Sequence, residues 1–441
     1  MAFHHAPAHG AHAGSSGPPT LAAWIAFALI FGLMLSDYLS RQVINAVFPF
    51  IKAQWSLSDT QLGSLVSIVA VTVGVFSFPV SVLADRFGRV LCVTIMAVLW
   101  GLATLLCGLA GSFTILLFAR LLVGLGEAGY SSAGGAILLG AFPARLHATV
   151  MGAFLAASLF GSVLGVVLGG VLAASYGWRT AFVVVGAGGL LLALVFPLFV
   201  KERPDLTREA AARAREEAIA LRDLPREILS ARTAAWSYLG SGLQMFSVGA
   251  MLAWIPSFLN RHHGMPPAEA ALAAGVLTLL AGIGMVLGGV LVDVVARRAA
   301  RNRPLVVACY AFLSCVLFVL AFRYCTGTLQ LLVIGAGMFL AGAHAGPTGA
   351  IATSVTSPRL HATVLATGTL ANNIFGLAPG PVVTGLLADR FDLQTALGLV
   401  PLPSLLAAAC FVMARRHHDR DVARIADAHP SSSIEALEEI A

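Results

Sequence analysis

The sequence predicts an all-α membrane protein whose twelve transmembrane helices form two pseudo-symmetric six-helix bundles. Three observations support this prediction: the composition, the number of long apolar segments and an internal repeat. Of the 441 residues, 58% are hydrophobic and 11% are charged, and the mean hydropathy is +0.87. A soluble domain carries about 25% charged residues. The composition therefore argues against a soluble globular protein.

Twelve apolar segments are each long enough to cross a bilayer as a helix. About 20 residues at about 1.5 Å each span the hydrocarbon core of about 30 Å. The segments are residues 22–51, 60–83, 90–110, 114–141, 147–174, 178–200, 233–259, 268–295, 304–324, 329–355, 362–388 and 393–414.

A long polar stretch divides the segments six and six. It is rich in Ala, Glu and Arg, which predicts a surface helix within a linker. The predicted organisation is a disordered N-terminal tail (1–20), a first bundle (21–200), a cytoplasmic linker (201–232), a second bundle (233–415) and a C-terminal tail (416–441).

The N-terminal tail has no basic region ahead of an apolar core, so it is not a cleaved signal peptide. Its histidines fit a disordered tail, with metal binding as the alternative. They are His4, His5, His9 and His12. The six cysteines all lie within apolar runs, so we expect buried thiols and neither a disulfide set nor a metal site.

The two halves contain matching motifs. RLHATV occurs at residues 145–150 and again at 359–364, each time where a fourth or tenth segment leads into the next. SVLADRFGR (81–89) and GVLVDVVARR (289–298) end the second and eighth segments. Repeated halves are typical of transporters whose binding site lies between them near the bilayer midplane.

The distribution of basic residues predicts the orientation. With both termini in the cytoplasm, the cytoplasmic loops and tail hold 20 of the 27 lysines and arginines, and the outer loops hold 5. This bias explains the net charge of +6 better than nucleic-acid binding does. The lipid bilayer is therefore the expected partner, and nucleic acid is not. We also expect a monomer in the inner (plasma) membrane of a bacterium.

Two apolar segments carry ionisable residues near their middle. Asp37 and Arg41 are one helical turn apart in the first segment, and Arg120 and Glu127 are two turns apart in the fourth. An ionised side chain at that depth costs several kcal/mol unless it faces a partner or water. If the two helices face one cavity, the acids form a layer and the arginines lie outward of it. We expect this group to be functional, and a static packing network is the alternative.

The loop after the second segment resembles the signature of the major facilitator superfamily, matching it at Asp85, Arg86, Gly88 and Arg89. The second copy keeps Gly289, Asp293, Arg297 and Arg298. RLLVGLGEAG (120–129) and GSVLGVVLGG (161–170) resemble the motifs of the fourth and fifth helices. The resemblance covers about residues 21–415 and implies the major facilitator fold. It also implies a cytoplasmic gate formed by Asp85, Arg86, Arg89, Asp293 and Arg297.

Within that superfamily, the first helix resembles the organic anion/proton symporters (anion:cation symporters) and the spinster-like branch. Their first helix commonly reads N-Y-L-D-R-Q, and Arg41 and Gln42 match it. Ser40 stands where the family usually has Asp, and Asp37 stands at its Asn. The carboxylate has therefore moved about one turn along the same helix.

We expect Glu127 to be the main proton carrier and Asp37 a second carrier or an arginine partner. Arg41 and Arg120 are the expected anion anchors, because a guanidinium binds carboxylate or phosphate as a fork. Protonating an acid would free an arginine, so proton and anion would bind and travel together.

Further polar residues within the segments are candidates for substrate binding, and helix packing is the alternative for each. His344 is a candidate for proton handling or substrate contact. The complete set of further candidates is Tyr38, Gln42, Asn45, Tyr130, Gln244, His344, Asn372 and Asn373.

The predicted function is proton-coupled symport of a small organic anion, a carboxylate or sugar acid, by alternating access. One alternative is a proton-driven exporter of drugs or lipid-like anions, although two intramembrane arginines disfavour apolar cations as substrates. A second alternative is a non-transporting sensor on the same scaffold. We expect neither an enzyme nor a cofactor beyond the proton gradient, because no catalytic triad, metal cluster or nucleotide-binding loop is visible in the sequence.

Overall fold

The computed structural model describes residues 20–201, 231–297, 300–357 and 361–428. The four tail histidines, most of the predicted linker and Arg298 lie outside these ranges. The predicted C-terminal tail is helical as far as it is described, because the last helix continues to Ala428.

The first half of the chain is built from seven α-helices. They are α1 (Leu21–Trp55), α2 (Asp59–Phe87), α3 (Arg89–Leu109), α4 (Phe113–Glu127), α5 (Tyr130–Ala141), α6 (His147–Tyr176) and α7 (Trp178–Phe199).

The second half repeats this order with more interruptions. Its helices are α8 (Arg232–His262), α9 (Pro267–Ala296), α10 (Arg303–Tyr324), α11 (Gly327–Gly342), α12 (Ala345–Thr353), α13 (His361–Asn372), α14 (Pro379–Arg390), α15 (Leu393–Leu399) and α16 (Pro403–Ala428). A single π-helical turn, Asn373–Leu377, joins α13 to α14.

Eleven helical stretches in the described ranges are long and apolar enough to cross a membrane. The twelfth predicted crossing is the fourth, which a turn at residues 128–129 divides into α4 and α5. The corresponding tenth crossing is divided at residues 343–344, between α11 and α12. The twelve-helix arrangement is therefore confirmed, and both pseudo-equivalent crossings are broken at the same level.

Small residues allow the helices of each half to approach closely. On α6, three glycines at four-residue spacing, Gly161, Gly165 and Gly169, lie against the backbone of α1. A Cβ at Gly165 would stand 2.6 Å from the carbonyl oxygen of Leu39. The absence of side chains there is what permits α1 and α6 to pack along their length.

We call the end of the bundle that holds Leu21 and Phe87 the terminal face, and the end that holds Trp55 and Asp59 the opposite face. The hydrophobic core near the opposite face is shared by both halves, with Phe48 packed against Trp254 at 5.2 Å between ring centroids. The other buried clusters belong to one half each.

Contacts between the halves weaken toward the terminal face. Near the opposite face, Gly170 of α6 lies against Ala271 of α9, and Gly63 of α2 lies against Pro381 of α14. Further along α6 and α9, a Cβ at Gly152 or Gly289 would meet no described atom within 4 Å. The two halves are therefore closed against each other at the opposite face, and the described parts of α6 and α9 lie apart toward the terminal face.

Candidate functional site

A cavity of about 300 Å³ lies between the two halves. Its charged and amide side chains come from α1 and α4, whereas the wall from the second half is mostly apolar, with His344 and Thr278 as its polar members. Six predicted site residues line it. They are Tyr38, Arg41, Gln42, Asn45, Arg120 and His344.

Arg41 lies between the two predicted proton carriers. Its Nε atom is 2.8 Å from Oε2 of Glu127 on α4 and 3.6 Å from Oδ1 of Asp37, one turn earlier on α1. Both acids are almost fully buried, Asp37 at 3% and Glu127 at 4% exposure, whereas the Arg41 side chain is 20% exposed. The sequence predicted that both acids face the cavity. In the structure they lie behind Arg41 and do not line the cavity directly.

Tyr38 and Ser40 complete this cluster. The guanidinium of Arg41 lies over the Tyr38 ring, 5.2 Å from its centroid, which favours the cation. The Ser40 hydroxyl lies 3.3 Å from Oε1 of Glu127 and 2.8 Å from the carbonyl oxygen of Asp37, so its single proton can go to either. Sequence reasoning did not include Ser40 in the site, although its departure from the family's aspartate marked the position.

Arg120 was predicted to be an anion anchor, and in the structure three backbone carbonyl oxygens hold its guanidinium. Its Nε donates to the carbonyl oxygen of Leu65 at 3.1 Å, and its two Nη atoms donate to those of Ser40 (3.3 Å) and Arg41 (3.4 Å). No carboxylate of the described residues forms an ion pair with it. Because a guanidinium has five N–H groups, two remain after these bonds. Arg120 thus ties α4 to α1 and α2, and its side chain lines the cavity.

Two amides lie side by side on α1: Gln42 directly follows Arg41, and Asn45 lies one turn beyond it. Nδ2 of Asn45 donates to Oε1 of Gln42 at 2.6 Å. Asn45 is 2% exposed, and its Oδ1 has no hydrogen-bond partner among the described residues. Both residues line the cavity, and the pair leaves one buried acceptor unpaired within the described part of the chain.

His344 lies in the turn that divides the tenth crossing. Its Nδ1 is 2.6 Å from the carbonyl oxygen of Ala341, and the side chain is fully buried. Its Nε2 has no partner in the described part of the chain.

Four predicted site residues do not line this cavity, and the hydrogen bonds of three of them stay within their own half. The Tyr130 hydroxyl donates to Ile30 O at 2.6 Å in the core of the first half. Gln244 Nε2 donates to Ser314 Oγ at 3.1 Å. Asn373 Nδ2 donates to Thr369 O at 2.9 Å, and Asn372 is half-buried beside it. Their predicted role in substrate binding stays a prediction.

The described residues do not test the predicted cytoplasmic gate. Asp85 and Arg86 lie near the end of α2, but their side chains lie outside the description. Arg89 begins α3, and Asp293 and Arg297 are exposed at the end of α9. Their joint role as a gate stays a prediction.

A cluster at the opposite face was missed by the sequence analysis. Asp59 forms ion pairs with Lys52 at 2.5 Å and with Arg261 of the second half at 2.8 Å. Asp389 of α14 accepts hydrogen bonds from the backbone N–H groups of Asp59 and Thr60. The sequence showed these charges only as scattered loop residues, because no local pattern pairs them.

Comparison with known proteins places the chain among transporters. The family model of the Major Facilitator Superfamily matches residues 30–379. A hexuronate transporter of Bacillus subtilis (strain 168) is 27% identical over 299 residues, covering 66% of this chain and 70% of the relative. An MFS-type efflux pump of Mycolicibacterium smegmatis is 30% identical over 429 residues, covering 93% and 96%.

A solved structure shares the fold. It is a bacterial homolog to the human lysosomal transporter spinster, in an inward-facing and unoccupied conformation. The TM-score is 0.81 at 22% identity, with 92% of this chain and 99% of that chain covered.

Proposed function

Because the chain belongs to the Major Facilitator Superfamily, and is thus a transporter and not an enzyme, we propose that it carries a small organic anion together with protons. The observation that carries the proposal is the position of Arg41. Its guanidinium lines the cavity while Glu127 and Asp37 hold it from behind, at 2.8 and 3.6 Å.

Charge balance couples the two cargoes. With all four groups ionised, Arg41 is shared by two carboxylates, so an entering anion would add a third negative charge around it. A proton on Glu127 or Asp37 removes one of these charges and frees part of the guanidinium fork. Anion binding then favours protonation, and protonation favours anion binding, which is the condition for symport.

The contacts between the halves determine from which face the cavity can be reached. The opposite face is closed by the cluster of Asp59 and Asp389, and the halves separate toward the terminal face. With both termini in the cytoplasm, as the charge bias predicts, this conformation is inward-facing. Transport then requires the cluster to open and the terminal face to close around the same cavity.

The cavity volume favours a small cargo. About 300 Å³ lies at the lower end of ligand pockets, which span roughly 300–1,000 Å³. Two guanidinium groups in its wall favour an acid. The similarity to a hexuronate transporter supports a sugar acid in particular.

An exporter is the second candidate, because the similarity to an efflux pump covers nearly the whole chain. In that case the same cluster would exchange protons for a drug or a lipid-like anion. The two arginines in the cavity wall disfavour an apolar cation as the drug.

Uptake by the purified chain in liposomes tests the proposal. With an inward proton gradient and a panel of radiolabelled carboxylates and sugar acids, we expect at least one acid to accumulate and a protonophore to stop it. Proton-driven movement of a drug or lipid-like anion in the opposite direction, with no acid accumulated, would establish the exporter. Tight binding without flux would establish a sensor.

A further inference from the structure

The outward-facing side of α16 ends in two arginines at the terminal face. The carboxylate of Asp421 accepts a hydrogen bond from the N–H of Thr233 at the start of α8, 2.7 Å away, which places this end of α16 there. Side chains that are not buried follow helical spacing along α16 toward that end, and none of them lines the cavity. This α16 stripe consists of Leu406, Ala409, Met413, Arg416 and Arg420.

A second stripe, on and just before α10, leads to the same place. This α10 stripe consists of Phe312, Cys309, Leu305 and Arg301, and none of these side chains is buried. The two helices share a buried apolar cluster, so they pack side by side. At the terminal face Arg415 Nε donates to Asn302 Oδ1 at 3.2 Å, and Arg301 Nη1 lies 3.8 Å from Asp419 Oδ2. The stripes therefore meet there.

Positive charge at this edge exceeds the negative charge of the described side chains. The arginines are Arg301, Arg303, Arg415, Arg416, Arg420 and Arg424. Of the two acids with a described side chain, Asp421 is buried against Thr233, and Asp419 is shared by Arg301 and His418. Within the described part of the chain, Arg416 and Arg420 form no ion pair. A phosphate would supply the missing charge, because guanidinium groups bind it as a fork.

We propose that this edge of the second half binds an anionic phospholipid, with the phosphate at Arg416 and Arg420 and the acyl chains along the two stripes. The apolar part of each stripe favours a lipid over a free phosphate, because a soluble anion would use the arginines alone. Basic residues at the cytoplasmic ends of transmembrane helices recognise such headgroups. With both termini in the cytoplasm, as the charge bias predicts, the site lies in the inner leaflet.

The site is independent of the transport mechanism. It lies outside the cavity and uses none of the residues assigned to cargo or protons. A lipid that contacts both stripes joins α10 to α16 at the edge where their arginines repel one another. Bound anionic lipid should therefore raise the melting temperature of the chain.

Native mass spectrometry of the purified full-length chain in detergent tests the proposal. The chain is titrated with phosphatidylglycerol or with phosphatidylcholine of the same acyl chains. We expect the first phosphatidylglycerol to bind about tenfold more tightly or better, because each basic residue near an anionic lipid contributes roughly fivefold. The double variant Arg416→Gln with Arg420→Gln should bring the two affinities to within about threefold of each other.

Two further variants control for net charge and for folding. Arg323→Gln with Arg390→Gln removes two exposed arginines of the same half at the opposite face, so the charge change is identical. It should keep the preference for phosphatidylglycerol. Arg416→Lys with Arg420→Lys keeps both cations at the terminal face and should keep most of the preference. Melting temperatures with each lipid, measured on the same samples, show which variants are folded.

Four outcomes would overturn the proposal. One is equal affinity of the wild-type chain for the two lipids, and another is a preference that survives in the folded Arg416→Gln, Arg420→Gln variant. A third is an equal loss of preference in the opposite-face control. The fourth is binding of glycerol 3-phosphate as tight as that of phosphatidylglycerol, which would identify a site for soluble anions. None of these outcomes bears on the proposed transport function.

Discussion

The Nε atom of Arg41 lies 2.8 Å from Oε2 of Glu127 and joins the first and fourth crossings beside the cavity. Neither residue is in the other's helix, so the pair forms only in the folded bundle. Burying an ion pair at this depth costs desolvation free energy, and removing one partner leaves an unpaired buried charge, which is strongly destabilising. Its retention is explained if the acid is protonated during the transport cycle.

Replacing Glu127 by Gln should therefore uncouple transport from the proton gradient. The amide keeps the size and polarity of the side chain but cannot ionise. We expect accumulation under a pH gradient to disappear while exchange of labelled for unlabelled acid continues. Uptake and counterflow in liposomes measure both. Glu269→Gln, at an exposed position near the start of α9, is the control and should accumulate normally. Normal accumulation by Glu127→Gln would remove this acid from the mechanism.

Lysine substitutions should separate the roles of the two arginines. Arg120→Lys loses the fork that reaches three carbonyl oxygens on α1 and α2, so the free energy of unfolding should fall by about 1–3 kcal/mol. Arg41→Lys keeps a cation beside Glu127 but loses bidentate anion binding, so acid affinity should fall with a smaller loss of stability. Thermal unfolding and calorimetric binding on the same samples test this. Equal effects of the two substitutions on both quantities would contradict it.

The first helix carries its carboxylate at Asp37, whereas the similar transporters carry it at the position of Ser40. Two substitutions can return it to that position. The hydroxyl of Ser40 lies 3.3 Å from Oε1 of Glu127, so an aspartate there would stand beside the same acid and close to Arg120. We expect Asp37→Asn to lower gradient-driven accumulation, and the double variant Asp37→Asn with Ser40→Asp to recover it. Liposome uptake compares the two. A double variant no better than the single one would show that the acid works only at residue 37.

The closed state of the opposite face should depend on Asp389. Its carboxylate accepts hydrogen bonds from the backbone N–H groups of Asp59 (2.7 Å) and Thr60 (2.8 Å) in the other half. Asp389→Ala removes these bonds, so the population should shift toward opening at this face. Asp392→Ala is the control, because its carboxylate caps α15 within its own half, 2.8 Å from the N–H of Thr395.

Spin labels at Gly111 and Thr326, in loops of the two halves at the opposite face, report that opening. With the native cysteines replaced, electron–electron resonance should show longer distances for Asp389→Ala than for Asp392→Ala. Identical distance distributions in the two variants would show that Asp389 does not hold the face closed.

Close packing of α6 on α1 should be sensitive to a single methyl group. A Cβ at Gly165 would stand 2.6 Å from Leu39 O, whereas one at Gly152 of the same helix meets no described atom within 4 Å. Gly165→Ala should therefore destabilise the protein by about 1–3 kcal/mol. Gly152→Ala should be neutral or slightly stabilising. Thermal unfolding of both variants decides this, and equal melting temperatures would contradict the packing argument.

The crossings, the two halves and the family were all predictable from the sequence. Apolar length and helical spacing are local properties, so the twelve segments and the Asp37–Arg41 turn could be read directly. The fourth crossing shows the limit of such reading. Its apolar run is continuous from 114 to 141, yet the helix breaks at residues 128–129, directly after Glu127. No proline lies at the break, and Gly129 is the residue there that favours a turn.

Only the tertiary structure decided which side chains meet. Arg120 and Glu127 were expected to face one cavity, but only Arg120 lines it, and its guanidinium donates to carbonyl oxygens up to 80 residues away. Tyr130 and Gln244 form hydrogen bonds to other helices of their own half. The carboxylate of Asp389 accepts a hydrogen bond from the N–H of Asp59, 330 residues away. The physical reason is that helical periodicity specifies which residues share a face of one helix. The rotation and packing of that helix against its neighbours determine whether that face meets water, lipid or another helix.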